Sequence, residues 1–311
     1  MTERSDIARH GGRTHPPSLI RLCERLLREE ELIGAGETVL CACSGGPDST
    51  ALVHVLGKLA PKFRFRVAAH GVDHGLRPEA LGELEHAARV CKSLGVPFSI
   101  TRVHIEPGGN IQARAREARR RALRSAARGA GASLIATGHT SDDRAETLIL
   151  RLLRGAGPRG LAVMPPRSML EKCTPDDSEI YVVRPLLLAR RVDVMAHLAR
   201  HEVSFAEDPS NADPRFLRVR VRREVMPLLT SMSPKITEHL CALAEMLGDL
   251  PAENEAFESL GRAQRMAARR AKKCKQPIKL RVSGGHDVEV AFSAGEAVLM
   301  KPNRRRSQPV R

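Results

Sequence analysis

Short apolar runs alternate with longer amphipathic stretches through the first half of the chain. Leu19, Ile20, Leu22, Leu26, Leu27 and Leu32 recur at helical spacing and predict a helix over residues 17–34. Glu37–Cys43 (ETVLCAC) is the run of a buried strand, with Cys41 and Cys43 on one face as packing residues. Leu52, Val53, Val55, Leu56 and Leu59 then predict a helix over Ser49–Leu59, with His54 on its apolar face as a core or groove histidine. The alternation continues with a strand at Phe65–His70, a helix at Pro78–Leu94, a strand at Pro97–His104 and a basic helix at Ile111–Arg128. A fourth strand, Ser133–Thr137, precedes a helix running to Leu153 that Ser141 or Asp142 can cap. Regular strand–helix alternation predicts an α/β fold, an open parallel sheet with flanking helices, through about residue 155.

The pattern then changes. Gly155–Pro166 is a Gly/Pro-rich loop, and polar Glu171–Ser178 reads as an exposed hairpin or loop insertion. A strand at Ile180–Val183 leads through RPLLLARR to a helix near Val192–His201. Phe205–Pro214 is turn-rich, and helical patterning follows to about Leu229, then over Pro234–Leu247 and Glu253–Lys273. Ile278–Val282, Asp287–Phe292 and Ala297–Met300 read as short strands, and the final KPNRRRSQPVR as disordered. The expected organisation is a helical segment at 1–35, a catalytic α/β domain at 36–230, and a small basic module of helix and short strands at 231–311.

Composition narrows the partner. Lys and Arg number 51 against 36 Asp and Glu, a formal charge of +15, and residues 261–311 hold 14 Lys/Arg against 3 Asp/Glu. Further basic blocks lie at Arg114–Arg128 and Arg215–Arg223, a distribution that favours contact with a phosphate backbone. With one Tyr, seven Phe and no Trp, recognition by base-stacking platforms is disfavoured. The chain has no apolar run of membrane-spanning length, and its polar N-terminus lacks an export signal. Seven Cys without a regular framework suit a reducing cytosol, so a cytoplasmic location is expected.

The most informative feature is Ser44-Gly45-Gly46-Pro47-Asp48-Ser49, set between a buried strand and a helix. Gly45 and Gly46 permit positive φ and close backbone approach. The amides at the following helix N-terminus form an anion nest, Ser44 and Ser49 add hydroxyls, and Asp48 can help hold Mg²⁺ on phosphates. Neither a Walker loop nor a G-x-G-x-x-G follows the strand.

The hexapeptide resembles the PP-loop of the N-type ATP pyrophosphatase superfamily, whose members cleave ATP to AMP and pyrophosphate on a Rossmann-like fold. Further blocks resemble one family within it, the tRNA(Ile)-lysidine synthetases. They are His70–Arg77 (HGVDHGLR), Asn110–Arg119 (NIQARAREAR), Ala136–Thr147 (ATGHTSDDRAET), Arg151–Met164 (RLLRGAGPRGLAVM), Arg184–Arg191 (RPLLLARR) and Asp208–Asn211 (DPSN). The resemblance spans roughly residues 36–229 and implies ATP with Mg²⁺, free L-lysine, and an isoleucine tRNA with a CAU anticodon. Related enzymes often dimerise, but no coiled-coil signal is present here.

Under that resemblance Ser44–Ser49 binds ATP, and Asp48 and Asp143 are the metal candidates. Arg116 and Arg119 offset charge on the transferring phosphoryl group, and His139 polarises the α-phosphate or shuttles a proton. Asp142 or Asp143 binds Mg²⁺ or the lysine ammonium, with Glu146 orienting them and Arg218 beside the pocket. Asp73 and His74 end the second strand, at the edge where an open α/β sheet collects ligands. Three positions depart from the family pattern: Gln112 in place of Glu, Arg120 in place of an aromatic, and Val219 in place of Asn.

The competing readings are a PP-loop tRNA thiolase, a small-molecule amidating synthetase, and a non-catalytic RNA-binding protein with a degenerate nucleotide fold. The chain lacks the C-x-x-C that thiolases commonly use. An amidating synthetase leaves the basic tail without a purpose, and an intact Ser44–Ser49 loop argues against degeneration.

Overall fold

The computed structural model describes residues 18–75, 80–104, 111–170, 179–206 and 216–249, together with the backbone of 278–281, 287–293 and 296–300. Strand β1 (Thr38–Ala42) occupies the middle of the main sheet and is buried on both faces. Its side chains alternate, as strand geometry requires. Val39, Cys41 and the following Cys43 join the larger core, while Leu40 and Ala42 join a smaller one. Helices α1 (Leu19–Glu29), α2 (Pro47–Phe63), α3 (Ala80–Ser93) and α7 (Arg191–Arg200) cover the first face. The basic helix α4 (Ile111–Gly129) covers the second, through Leu123 and Ala127 against Leu40 and Ile135.

The remaining strands of this sheet are β2 (Arg66–Asp73), β3 (Phe98–Arg102), β4 (Leu134–Ala136), β5 (Arg167–Met169) and β6 (Tyr181–Val183), in the order β3-β2-β1-β4-β6-β5. All neighbours run parallel except β5 with β6. The parallel α/β expectation therefore holds, with one antiparallel edge strand that the pattern did not predict. Three residues are too few for an alternation to register. The segment 171–178 between β5 and β6 lies outside the described residues, as do the predicted helix at 253–273, the C-terminal tail and most of the turn-rich 205–214.

The order of strand addition reverses between the parallel β1 and β4, and such a switch point is where an open α/β fold opens a ligand crevice at its carboxyl edge. Helix α5 (Ser141–Leu153) follows β4. The expected cap, Ser141 or Asp142, is corrected: Thr140 caps α5 and Asp143 closes a capping box with it. Ser141 Oγ instead donates to the Ala189 carbonyl, and Asp142 turns toward α7. The Gly/Pro-rich loop contains one helical turn, α6 (Pro158–Leu161).

Helices α8 (Leu217–Arg220), α9 (Met226–Met232) and α10 (Ile236–Gly248) pack on α5. A π-turn, Val221–Val225, joins the first two. Val221 and Met226 pack with Ala145, Ile149 and Leu150, and Ala244 packs with Leu148. The buried Arg144 adds a donated bond to the Val163 carbonyl and an ion pair with Glu245. Among the described residues no helix is long and apolar enough to cross a membrane.

The chain divides into two compact units, Met1–Gly248 and Asp249–Arg311. In the second, β7 (Ile278–Arg281), β8 (Asp287–Ser293) and β9 (Glu296–Met300) form an antiparallel sheet where the three short strands were expected.

Helices α2 and α7 share a buried histidine contact, with His54 Nδ1 and His197 Nε2 2.8 Å apart and the exposed His201 ring beside both. One imidazole must donate and the other accept, so the pair cannot be doubly protonated. Burial first, then the neighbouring His201, Lys58 and Arg200, push both His54 and His197 down to about 4 from an ordinary 6.5. Between those values the unfolded chain binds more protons than the folded one. Their contribution is therefore full above pH 6.5 and is lost as pH falls toward 4. His139 adds to this loss, and Asp48, pushed up to about 6, opposes it. The melting temperature should fall between pH 7 and pH 5, and fall less in a His54→Gln variant, as followed by circular dichroism.

Candidate active site

The loop after β1 and the loop after β4 meet at the sheet's carboxyl edge. Gly45 has φ +87, and a Cβ there would lie 2.6 Å from the Glu83 carbonyl oxygen, so this position needs glycine twice over. Gly46 does not use positive φ as expected; it has φ −70 and forms the N-cap of α2. Pro47 opens the helix, where its missing N–H is harmless. Ser49 and Thr50 hold the loop closed: Ser49 Oγ donates to the Gly46 carbonyl at 3.0 Å and accepts from Ser44 N at 3.2 Å. Thr50 Oγ1 donates to the Gly45 carbonyl at 3.1 Å. Ser44 is exposed and presents its hydroxyl beside them. The first-turn amides of α2 lack intrahelical partners by geometry and carry the positive end of the helix dipole, an anion cradle.

Gly138 is what lets the second loop close on the first. A Cβ there would lie 2.8 Å from both the carbonyl carbon and oxygen of Asp48. The GHT stretch does not by itself mark its glycine as a contact residue. A glycine directly after a strand that feeds a capped helix is the signal that was available.

Asp48 lies in the first turn of α2, and its Oδ1 is buried without a hydrogen-bond partner among the described residues. Burial raises its carboxyl to about 6, against the lowering effect of Arg191. Across from it stand two acids of α5. Asp143 Oδ2 accepts from Thr140 N and Oγ1, both at 3.0 Å, and its Oδ1 accepts from Arg218 at 3.0 Å. Despite burial, those bonds and the arginine charges hold the Asp143 carboxyl below its ordinary value. Glu146 is 2% exposed; it accepts from Arg222 Nε at 2.7 Å and NH2 at 2.9 Å, and from Arg218 Nε at 3.1 Å.

Arg218 and Arg222 lie four residues apart, so one helical face presents both to the same carboxylate. Val219, where the family has Asn, is 9% exposed, a buried apolar position in the same turn.

Asp142 leaves this cluster. It accepts from the Arg191 backbone N–H at 2.7 Å and from the Arg190 guanidinium at 3.2 Å. It therefore pins the start of α7, and Arg190 and Arg191, which were not among the predicted residues, join the site with Arg222, which keeps its place beside Arg218 in the family's arginine block. A cavity of ≈ 550 Å³ opens beside them, between Asp142, Glu146, Arg191 and Arg222 and the Met226–Ser231 wall of α9.

His139 accepts or donates at Nδ1 with Thr137 Oγ1 at 2.8 Å. Burial, opposed by Asp143 and aided by the charges of Arg184, Arg218 and Arg119, pushes it down to about 4. It is a neutral imidazole at neutral pH, and an arriving phosphate would raise its basicity.

Asp73 and His74 stand at the carboxyl end of β2, as expected. Asp73 Oδ1 accepts from Gly75 N at 2.8 Å and its Oδ2 pairs with Arg102 at 3.3 Å. His74 Nδ1 is buried without a hydrogen-bond partner among the described residues. Its pKa is lowered by burial and then by Arg119. Arg116 and Arg119 have exposed side chains on α4, while Arg120 pairs with Glu117 at 3.8 Å. The Gln112 side chain lies outside the described residues.

Residues 21–229 match a family described as a PP-loop domain. The chain is 41% identical over 240 residues to a tRNA(Ile)-lysidine synthase of Pseudomonas aeruginosa, covering 77% of this chain and 50% of that protein. It is 43% identical over 200 residues to the one of Rhodopseudomonas palustris, covering 63% and 56%. The corresponding values for the Salinispora tropica enzyme are 40% over 213 residues, covering 67% and 62%. The chain thus spans about half to three-fifths of these curated relatives. Among solved structures, a U34-tRNA thiolase of Methanococcus maripaludis with a [4Fe-4S] cluster superposes at a TM-score of 0.60 and 18% identity. That match covers 76% of this chain and 81% of the thiolase and is a likeness of fold.

Proposed function

This chain belongs to the PP-loop domain family, and on that premise we propose that it carries the catalytic part of a tRNA(Ile)-lysidine synthase. The wobble cytidine C2 oxygen of a CAU-anticodon isoleucine tRNA attacks the ATP α-phosphorus. An O–P bond forms, and the bond to the pyrophosphate bridging oxygen breaks. The ε-amine of free lysine then attacks C2, its proton passes to a base, and AMP leaves with the original C2 oxygen.

The observation that carries this reading is the meeting of Asp48 and Gly138. The start of α2 lies against the loop that leads to the α5 carboxylates, which supports reading the first as a phosphate cradle and the second as the lysine site. The cradle suits the triphosphate, with Ser44 and the α2 amides as donors. Exposed Arg116 and Arg119 suit transition-state charge and the tRNA backbone. Asp143 and Glu146 suit the lysine ammonium, and a neutral His139 suits acceptance of its proton. Mg²⁺ fits Asp48, whose buried Oδ1 has no hydrogen-bond partner, better than Asp143, whose two oxygens are engaged. One or two protein carboxylates plus substrate phosphates are a usual share for that ion, which when bound would neutralise phosphate charge.

The cysteines favour this reading over the thiolase. Among the described residues Cys23, Cys41, Cys43 and Cys91 are free and buried, and no His/Cys/Asp/Glu group is arranged to hold a metal through three ligands.

Incubation with ATP, labelled lysine and CAU-anticodon isoleucine tRNA should incorporate lysine into the tRNA. No incorporation, with a working synthase alongside, rejects the proposal. The basic C-terminal unit fits a tRNA-anchoring role, so deletion of 251–311 should weaken tRNA binding and flatten its salt dependence in filter binding.

A further inference from the structure

Among the described residues, the acids of α5 are hydrogen-bonded to arginines of the neighbouring helices. Arg190 bonds Asp142, and Arg218 and Arg222 bond Asp143 and Glu146. A further pair is Arg191 with Asp48, at 3.9 Å. The Arg191 guanidinium also stands 3.5 Å from Asp143 and 3.7 Å from Glu146, yet it makes no hydrogen bond to any described residue. Its neighbours Arg218 and Arg222 each hold bonds of 2.7–3.1 Å and are fixed.

Local structure does not account for a cation at this position. Arg191 is the first residue of α7, where the helix dipole disfavours positive charge. Its backbone is anchored by Asp142, so the side chain alone is free to turn. It is 30% exposed, at the same end of α2 as the anion cradle. Arg191 stands within 4 Å of three carboxylates, and Asp48 is the one of the three to which no described arginine donates a hydrogen bond.

We infer that Arg191 is an exchanging arginine: it is the counter-ion of Asp48 in the free protein, and it turns to the triphosphate when the Asp48 charge is removed or taken up by another cation. This rests on the reading of the Ser44–Ser49 loop as the nucleotide site, and it adds a phosphate-binding residue from α7 that lies outside that loop.

The test is binding of a nonhydrolysable ATP analogue by calorimetry, in EDTA, to the parent, Asp48→Asn, Arg191→Gln and the double variant. Asp48→Asn mimics the occupied carboxylate. It should bind the analogue about tenfold more tightly than the parent, the value of one charge-assisted hydrogen bond. That gain should vanish when Arg191 is also Gln, and Arg191→Lys should retain part of it. Melting curves identify any variant that has lost its fold, and Arg191→Lys then supplies the second leg of the cycle. An equal gain with and without Arg191 would mean that only repulsion by Asp48 had been relieved, and would overturn the inference. So would no gain at all. If the parent with Mg²⁺ fails to bind the analogue, the nucleotide reading falls as well. A non-additive cycle in a protein that incorporates no lysine would leave the exchange standing and reject the lysidine reaction alone.

Discussion

Gly138→Ala should reduce pyrophosphate release from ATP by about 100-fold or more while the main sheet stays folded. The new methyl carbon would lie 2.8 Å from Asp48 C and O and 3.1 Å from Ser49 N, all backbone atoms at the start of α2. A flexible side chain could swing aside, but a helix N-terminus cannot, because Ser49 and Thr50 lock it to the loop. The β4–α5 loop must therefore lift away from the cradle. A shift of ~1 Å between reacting groups is enough for a loss of this size. Gly129→Ala, at the end of α4, is the matched control. Its added Cβ would meet nothing within 4 Å, so activity should fall little. Pyrophosphate release measured with far-ultraviolet circular dichroism on both variants checks the pair. Equal activity would show that the two loops do not need their close contact.

The strands and the cradle were legible because each is written in neighbouring residues. Glu37–Cys43 is apolar on both faces, and the Gly-Gly turn follows it directly. The acid site was legible only in part. Asp143 and Glu146 lie on one short segment, but the arginines facing them, Arg191, Arg218 and Arg222, come from α7, α8 and the turn after α8, far along the chain. In sequence, RPLLLARR is a block of the family resemblance and RVRVR part of a basic block suited to a phosphate backbone, and neither shows which acids it faces. They meet those acids only when Val221 and Met226 pack on α5 and Asp142 pins α7. The resemblance of the ATGHTSDDRAET block leaves Asp142 and Asp143 as alternatives for one role. Adjacent helical residues point about 100° apart, and here Asp143 faces Arg218 while Asp142 bonds the start of α7 at the rim of the cavity. The cap of α5 was misplaced by one or two residues for a similar reason. Thr140 and Asp143 satisfy one another, so the acid that reads as catalytic also closes the capping box.

Glu146→Ala should destabilise the protein and remove lysine incorporation together, and Glu146→Gln should separate the two. The carboxylate is 2% exposed and takes three hydrogen bonds from Arg218 and Arg222. Removing one partner of a buried charge pair costs ~3–5 kcal/mol. Here the arginine side chains are 41% and 31% exposed, so water can take over part of their solvation. The expected cost is therefore nearer ~2–3 kcal/mol, a fall of roughly 5–10 °C in melting temperature. Glu146→Gln keeps the shape and an acceptor oxygen, so it should recover part of the stability. It cannot recover the charge that an ammonium needs, so the KM for lysine should still rise about tenfold or more while analogue binding at the cradle is unchanged. Arg222→Gln added to Glu146→Gln should restore stability further, because both charges then leave together, but should not restore lysine use. A Glu146→Gln protein with parental lysine kinetics would mean that this carboxylate serves only to fasten α8 to α5.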